Sequence, residues 1–257
     1  MSASVLKDAP TLALIVCRKM IVLLRAQGIW GTVVFCAQAL AQLPRRVSSL
    51  SAEAAYDRKM GVETSRLVHI KNLGIDPAKL EATSQNASGV AYMPSPAGIP
   101  GTVLKELGLR YEEYTFIDLG SGMGRVVLEA AEFPFRKVVG VEFSHELHGI
   151  AERNLSKTSD RLRASIELIC QDAQEYTLPL GNCIIYLFNP FRETVMQTVL
   201  KKLETSYRTT GAELYVIYYN PVLVALLDAA PFLTKIKAGG EYSVYRSTPQ
   251  EARLAAT

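Results

Sequence analysis

Residues 115–128 read Thr-Phe-Ile-Asp-Leu-Gly-Ser-Gly-Met-Gly-Arg-Val-Val-Leu, and this stretch decides the fold. Its apolar start predicts a β-strand, its glycines predict a turn, and its apolar end predicts a helix. Glycines at alternate positions from Gly120 to Gly124 let the chain turn sharply and let a ligand lie against bare backbone. The dinucleotide fingerprint G-x-G-x-x-G does not fit, because Arg125 or Val127 occupies the place of its third glycine. A pyrophosphate site is therefore disfavoured.

After this turn, strand-like and helix-like segments alternate along the chain. Apolar, β-branched runs predict further strands at Lys137–Glu142, Ile166–Cys170, Cys183–Phe188, Leu214–Tyr219, Phe232–Lys237 and Glu241–Arg246. Apolar residues at helical spacing predict helices between them, one capped by Ser144 and one starting at Pro221. The last two strands flank a glycine pair and form a hairpin. The pattern predicts an α/β fold with a doubly wound, Rossmann-like seven-strand sheet, an antiparallel last hairpin and a helical N-terminal extension.

The turn itself carries a recognisable motif. From Asp118 it reads D-L-G-S-G-M-G-R, a D-x-G-x-G-x-G pattern that resembles motif I of the class I methyltransferases. Enzymes of that class use S-adenosylmethionine (SAM), so the resemblance implies SAM as the cofactor, with the acid helping to hold its ammonium group. The residues that the resemblance assigns to the cofactor here are Asp118, Gly120, Ser121, Gly122 and Gly124. It extends from about Tyr92 to Ser247, more than half of the chain.

Two acids follow the next two predicted strands. Glu142 ends a strand 18 residues after Gly124, where an acid can accept hydrogen bonds from both ribose hydroxyls of a bound nucleoside. Asp172 and Ala173 follow the third strand. In class I methyltransferases an acid at that place contacts the adenine amino group and the next backbone N–H meets the ring. All three residues are therefore predicted to bind the cofactor.

Two segments upstream of the turn also resemble a bacterial group within this class. They are D-R-x-x-G-V-x-T, starting at Asp57, and Y-x-P-S, starting at Tyr92. The resemblance implies that the second segment folds over the SAM site as a lid, which would bring Tyr92 and Ser95 near the ligand. The residues alone leave a proline-rich linker as the alternative. Arg125 is badly placed for the helix dipole, so we expect it to pair with Glu142 or with a carboxylate of the lid.

The tetrad Phe188-Asn189-Pro190-Phe191 follows the fourth strand, at the edge where an open α/β sheet places its reaction. It resembles the N/D-P-P-Y/F motif of amino-group methyltransferases without the second proline. It also has some similarity to the Asn-Asn-Phe of the non-SET protein lysine methyltransferases. The resemblance implies catalytic roles for Asn189, Pro190 and Phe191 in methyl transfer to a nitrogen nucleophile, with protein lysine as a candidate acceptor. An Asn-Pro turn without a ligand is the alternative.

The N-terminal residues differ in composition from the rest. Residues 1–60 hold eight Lys or Arg against three acids, a net charge of +5, within a chain of net charge +3. Residues 11–43 are apolar but interrupted by basic side chains, which makes a membrane span marginal. They predict a packed helical extension, with peripheral membrane contact as the second interpretation. A lipid or small-molecule methyltransferase at the inner membrane surface, or a SAM-binding protein without turnover, are the alternatives to the enzyme described above.

The sequence thus predicts four regions: an extension at 1–60, a connecting and lid segment at 61–98, a methyltransferase domain at 99–247 and a tail at 248–257. Four cysteines without a C-x-x-C pair predict no metal site. We expect a cytoplasmic enzyme whose partner is a protein or small-molecule methyl acceptor rather than nucleic acid. His145 and His148 lie at the start of a helix and receive no assigned role.

Overall fold

The computed structural model describes residues 52–66, 68–69, 90–188 and 190–248. The apolar stretch at 11–43 and the predicted catalytic Asn189 lie outside the described residues. Within the described ranges, no helix combines the length and the apolar character needed to cross a membrane.

The helices alternate with the strands as the sequence predicts. They are α1 (52–60), α2 (Ile99–Leu107), α3 (Arg125–Ala130), α4 (His145–Ser156), α5 (Asp160–Ser165), α6 (Glu193–Thr210) and α7 (Val224–Asp228). The strands are β1 (Val68–His69), β2 (Val90–Tyr92), β3 (Tyr114–Leu119), β4 (Lys137–Glu142), β5 (Ile166–Cys170), β6 (Asn182–Phe188), β7 (Leu214–Tyr219), β8 (Leu233–Ala238) and β9 (Tyr242–Ser247). A 3-10 turn, Tyr111–Glu113, leads into β3.

Seven of these strands form one sheet in the order β5-β4-β3-β6-β7-β9-β8. Strands β3 to β7 pair in parallel, and β9 is antiparallel to both of its neighbours. The chain winds outward from β3 through β4 to β5, then returns to β6 on the other side of β3. This reversal is the switch point at which doubly wound sheets bind their ligands, beyond the carboxyl ends of the strands. The predicted α/β fold with a seven-strand sheet and an antiparallel last hairpin is confirmed, whereas most of the predicted helical extension lies outside the described residues.

Apolar side chains on both faces explain why these runs become central strands. All six residues of β3 are buried, as expected for a parallel strand covered on two sides. On one face, Ile117 packs in a cluster with side chains of α6 such as Leu203. On the other face, Phe116 packs with Leu104 of α2 and Val127 of α3. Packing of helices on both faces of the sheet therefore fixes the position of the carboxyl ends of β3 and β6.

Apart from shifts of one residue at strand ends, the observed elements differ from the prediction in three places. The last helix begins at Val224, so its predicted start at Pro221 is wrong. Asn220 adopts a left-handed conformation (φ 49°), and the backbone N–H of Leu223 donates to the Tyr218 hydroxyl, which makes this stretch a turn. Helix α5 and the two-stranded ribbon of β1 and β2 were not predicted.

Candidate active site

The glycine turn begins where β3 ends, and its backbone is left-handed at alternate residues. The φ angles are 88° at Gly120, 54° at Gly122 and 87° at Gly124, values that favour glycine. The backbone N–H groups of Gly120 and Ser121 both donate to the carbonyl oxygen of Val141, at 2.8 and 3.0 Å. The turn is thereby fixed to the end of β4, beside the switch point.

Two predicted site residues approach this turn closely. A Cβ atom built on Gly122 would lie 2.1 Å from Cε2 of Tyr92. A Cβ atom on Gly120 would lie 2.8 Å from Cβ of Pro190. The structure therefore brings the glycine turn, Tyr92 and Pro190 to one place.

The carboxylate of Glu142 binds the backbone of the glycine turn. Its Oε2 accepts from the backbone N–H of Gly122 at 2.9 Å, and its Oε1 accepts from that of Ser144 at 2.8 Å. Burial raises the pKa of Glu142, although these hydrogen bonds oppose the rise. The Ser144 side chain in turn accepts from Leu147 N–H and caps α4, as predicted.

Asp118 lies in β3 with only 3% of its surface exposed. Burial raises the pKa of its carboxyl group well above the ordinary value, and the nearby charge of Glu142 raises it further. Among the described residues, no group donates a hydrogen bond to this carboxylate. The turn is thus flanked by two desolvated acids, and the nearby cation of Arg125 pairs with Glu53 and Asp57 rather than with either of them.

This arrangement can be tested against the cofactor that motif I implies. SAM carries a positive sulfonium and a positive ammonium group. Two buried carboxylates, Asp118 and Glu142, would be stabilised by a cationic ligand, since an opposite charge favours the ionised form. The turn between them consists largely of glycines, and Tyr92 and Pro190 fill the space that side chains at Gly122 and Gly120 would need. The residues fit the group.

Asp172 and Ala173 lie after β5, next to the strand that ends at Glu142. The backbone N–H of Gln171 donates to the carbonyl oxygen of Glu142 at 3.0 Å, so the two strand ends are tied together. The Asp172 Oδ1 atom accepts from the backbone N–H of Gln174 at 2.8 Å, which fixes the side chain in a local turn. Ala173 is buried.

Phe191, from the tetrad, is buried in the apolar cluster with Val195 and Met196 of α6. The segment of the predicted lid also has a defined position: Ser95 is buried, and its Oγ accepts from the hydroxyl of Tyr186 at 3.1 Å. Tyr186 lies opposite Asp118 in the register of β6 and β3. The sequence analysis did not predict Tyr186 as a site residue, although a tyrosine within an otherwise aliphatic strand could have indicated one.

The expected pairing of Arg125 with Glu142 or with a carboxylate of the lid is wrong. Its carboxylate partners are Glu53 at 3.7 Å and Asp57 at 3.6 Å, both on α1. The histidines also have local partners. His145 Nδ1 lies 3.2 Å from Sγ of Cys170, and His148 Nε2 lies 3.5 Å from Oε1 of Glu152. In the part of the chain that the structure describes, no group of metal-ligating side chains is arranged to hold an ion.

The strand order, the glycine turn after the first strand of the sheet and the acid ending the second define the class I methyltransferase fold. The family model "Histone methylation protein DOT1" matches residues 74–169. A protein-lysine N-methyltransferase from Saccharolobus islandicus (strain REY15A) is 28% identical over 136 residues, which are 51% of this chain and 81% of that protein. These two findings support methyltransferase function for the chain.

Solved structures also resemble this chain at low identity. The putative methyltransferase yhhF from Escherichia coli is 20% identical with a TM-score of 0.46, and the likeness covers 61% of this chain and 89% of that one. An RNA methyltransferase from Salinibacter ruber, solved with S-adenosyl-L-homocysteine (SAH), is 20% identical with a TM-score of 0.43, covering 62% and 95%.

Proposed function

We propose that this protein is a SAM-dependent methyltransferase that modifies an amine nitrogen, and that its acceptor is the ε-amine of a protein lysine. The observation that carries the cofactor is the pair of buried acids, Asp118 and Glu142, beneath a glycine turn at the switch point. The acceptor class is supported by the printed name of the relative, a protein-lysine N-methyltransferase. The position of Pro190 against Gly120 supports a role for the segment after β6 in the reaction.

The roles of the cofactor-binding residues follow from their chemistry. Asp118 would hold the ammonium group, and Glu142 would accept hydrogen bonds from the ribose hydroxyls while keeping its bond to the Gly122 N–H. Asp172 and Ala173 would contact the adenine. When bound, SAM supplies an electrophilic methyl group whose leaving group needs no proton. The protein therefore mainly has to orient the reactants and exclude water.

The acceptor side requires a neutral amine. A lysine ε-amine has a reference pKa of about 10.4, so it must lose a proton before it can attack. Phe188 and Tyr219 end β6 and β7 side by side, with ring centroids 5.1 Å apart, and provide an aromatic surface there. A dry aromatic surface favours the neutral form of an amine. Asn189 would accept an N–H of the amine and so direct its lone pair.

The proposal is tested with labelled SAM and the full chain. We expect label to be transferred to lysine residues of proteins in a cell lysate, identified by mass spectrometry. Asn189→Ala should lower turnover while SAH still binds, and Gln197→Ala, on the exposed side of α6, is the control. Label found only in lipid or small molecules would refute the protein acceptor. Binding of SAH without any transfer of label would refute the proposed methyltransferase activity.

A further inference from the structure

Arg125 is the largest fully buried side chain described in the structure, and it joins parts of the chain that are far apart in sequence. Its Nε donates to Oγ1 of Thr64 at 2.8 Å, and its Nη1 donates to the carbonyl oxygen of Ser95 at 3.0 Å. Arg125 directly follows Gly124 and opens α3. The guanidinium of Arg125 therefore contacts both the segment after α1 and the lid segment, and the backbone of the same residue continues directly from the glycine turn.

The charge of Arg125 is balanced from α1. Glu53 and Asp57 lie 3.7 and 3.6 Å from its guanidinium nitrogens, and its Cζ lies 5.7 Å from the ring centroid of Tyr56. A buried arginine is strongly destabilising unless such partners are present. Helix α1 thus provides the acids that allow this cation to be buried beside the turn.

Asp57 extends the same network to the residues after α1. It accepts hydrogen bonds from the backbone N–H groups of Thr64 and Ser65, both at 2.8 Å, and from both hydroxyls. Burial would raise the pKa of Asp57, but these hydrogen bonds together lower it, so the carboxylate stays ionised. The Asp57 and Thr64 positions of the D-R-x-x-G-V-x-T segment are therefore contacts of Arg125 or of its partners.

The lid segment is fastened to this network at two points. The hydroxyl of Tyr92 donates to the carbonyl oxygen of Thr64 at 3.1 Å, and its ring lies against Gly122. The hydroxyl of Ser95 contacts Tyr186, while its carbonyl oxygen accepts from Arg125. Both segments that cover the glycine turn are therefore fastened to the network of one buried cation.

We propose that Arg125 is a positioning residue that closes residues 62–66 and 92–98 over the cofactor site, so that affinity for SAM depends on it. This inference rests on the proposed function. If only a fraction of the molecules has both segments closed, the apparent dissociation constant rises by the inverse of that fraction. Loss of Arg125 should therefore weaken cofactor binding without changing any residue that we assign to the cofactor.

The test compares three variants of the full chain by calorimetric titration with SAH and by steady-state kinetics. Arg125→Met keeps most of the volume and removes the charge; we expect the dissociation constant for SAH and the KM for SAM to rise about tenfold, the equivalent of one charge-assisted hydrogen bond. The kcat at saturating SAM should change by less than about twofold, because the lost interaction affects binding rather than chemistry. Thr64→Val should raise the same constants less, by about threefold.

Leu203→Ala is the control, because Leu203 is fully buried in the cluster with α6, on the opposite face of the sheet from Arg125. It should lower stability while leaving SAH affinity unchanged. Hydrogen exchange gives a readout that a general loss of stability would not reproduce. SAH should slow exchange at 62–66 and 92–98 in the unmodified chain, and this protection should be lost in Arg125→Met while protection at 120–124 remains.

Unchanged SAH affinity and unchanged protection in Arg125→Met would overturn the inference while leaving the proposed function intact. If the unmodified chain does not bind SAH, the proposed function itself fails. If Arg125→Met does not fold, Thr64→Val decides: a rise in the dissociation constant supports the positioning role, and no change overturns it.

Discussion

Gly122 is the residue at which the turn has least room. Its φ of 54° is strained for any other residue, and a Cβ atom there would overlap the ring of Tyr92. The position therefore requires glycine for two separate reasons, backbone conformation and contact. The two can be distinguished, because Gly108 has a similar φ of 58° and no neighbour within 4 Å.

Gly122→Ala should displace Tyr92 and abolish measurable SAH binding, since the methyl group cannot occupy the space of the ring. Gly108→Ala should cost about 1–2 kcal/mol of stability, the penalty of left-handed backbone alone, and should leave SAH affinity unchanged. Calorimetric titration and urea unfolding of both variants check this. Equal SAH affinity in the two variants would contradict the contact between Tyr92 and the turn.

Glu142 combines a predicted ligand contact with a structural one. Glu142→Ala should weaken SAH binding by about 2–3 kcal/mol, because charge-assisted hydrogen bonds to the ribose are lost. It should also lower the free energy of unfolding, since the N–H groups of Gly122 and Ser144 lose their acceptor. Titration calorimetry measures the first effect and urea unfolding the second. Glu167→Ala, an exposed acid on the neighbouring strand, should change neither.

At the scale of elements, one buried acid connects α3 with the start of α2. Both carboxylate oxygens of Glu129 lie 3.1 Å from the backbone nitrogen of Gly98, the residue that precedes α2. Burial raises the pKa of Glu129 to about 7 from an ordinary value of 4.5. The folded state therefore binds this proton more tightly than the unfolded state does.

Stability should consequently decrease as the pH rises from about 4.5 to about 7, by about 3 kcal/mol from this residue. Glu129→Gln cannot ionise, so the difference between the free energies of unfolding at pH 5 and pH 7.5 should change by about that amount. Urea unfolding at the two pH values measures it. Glu132 is exposed just after α3, and Glu132→Gln should keep the pH dependence of the unmodified protein. The same dependence in Glu129→Gln would contradict this role.

The elements themselves were largely predictable. Strands β4, β5 and β7 have the predicted bounds, because each is an apolar, β-branched or aromatic run buried in a parallel sheet. Helix α5 was missed because it has six residues and one buried side chain, Leu162, too few to show a helical period. The β1–β2 ribbon depends on pairing between strands about 20 residues apart, which no local pattern reports.

At the scale of the whole molecule, the candidate site is assembled from distant parts of the chain. Asp118 and Glu142 could be paired from the sequence, because both mark the ends of adjacent parallel strands. The partners of Arg125 could not, because Glu53 and Asp57 lie on a separate helix about 70 residues upstream. Only the tertiary contacts bring these residues together.

Because binding at such a site involves several elements, SAH should stabilise the whole fold. At about 100 times its dissociation constant, SAH should add about 2.7 kcal/mol to the free energy of unfolding. For a chain of this size the Tm should rise by about 5–10 °C in a thermal scan. Methylthioadenosine, which lacks the amino-acid moiety that Asp118 would hold, should raise it less at equal concentration. Equal shifts would contradict the assignment of Asp118.

The position of β9 determines when the sheet can be completed during synthesis. β9 is the last strand of the sheet along the chain, yet it lies between β7 and β8 rather than at the edge. Until residues 242–247 have left the ribosome, the Leu-Tyr-Val-Ile-Tyr-Tyr edge of β7 has no partner on that side. An unpaired apolar edge is a template for association between chains. A nascent chain without β9 therefore exposes this edge, and variants that weaken β9 should lower the yield of folded protein before they affect its chemistry.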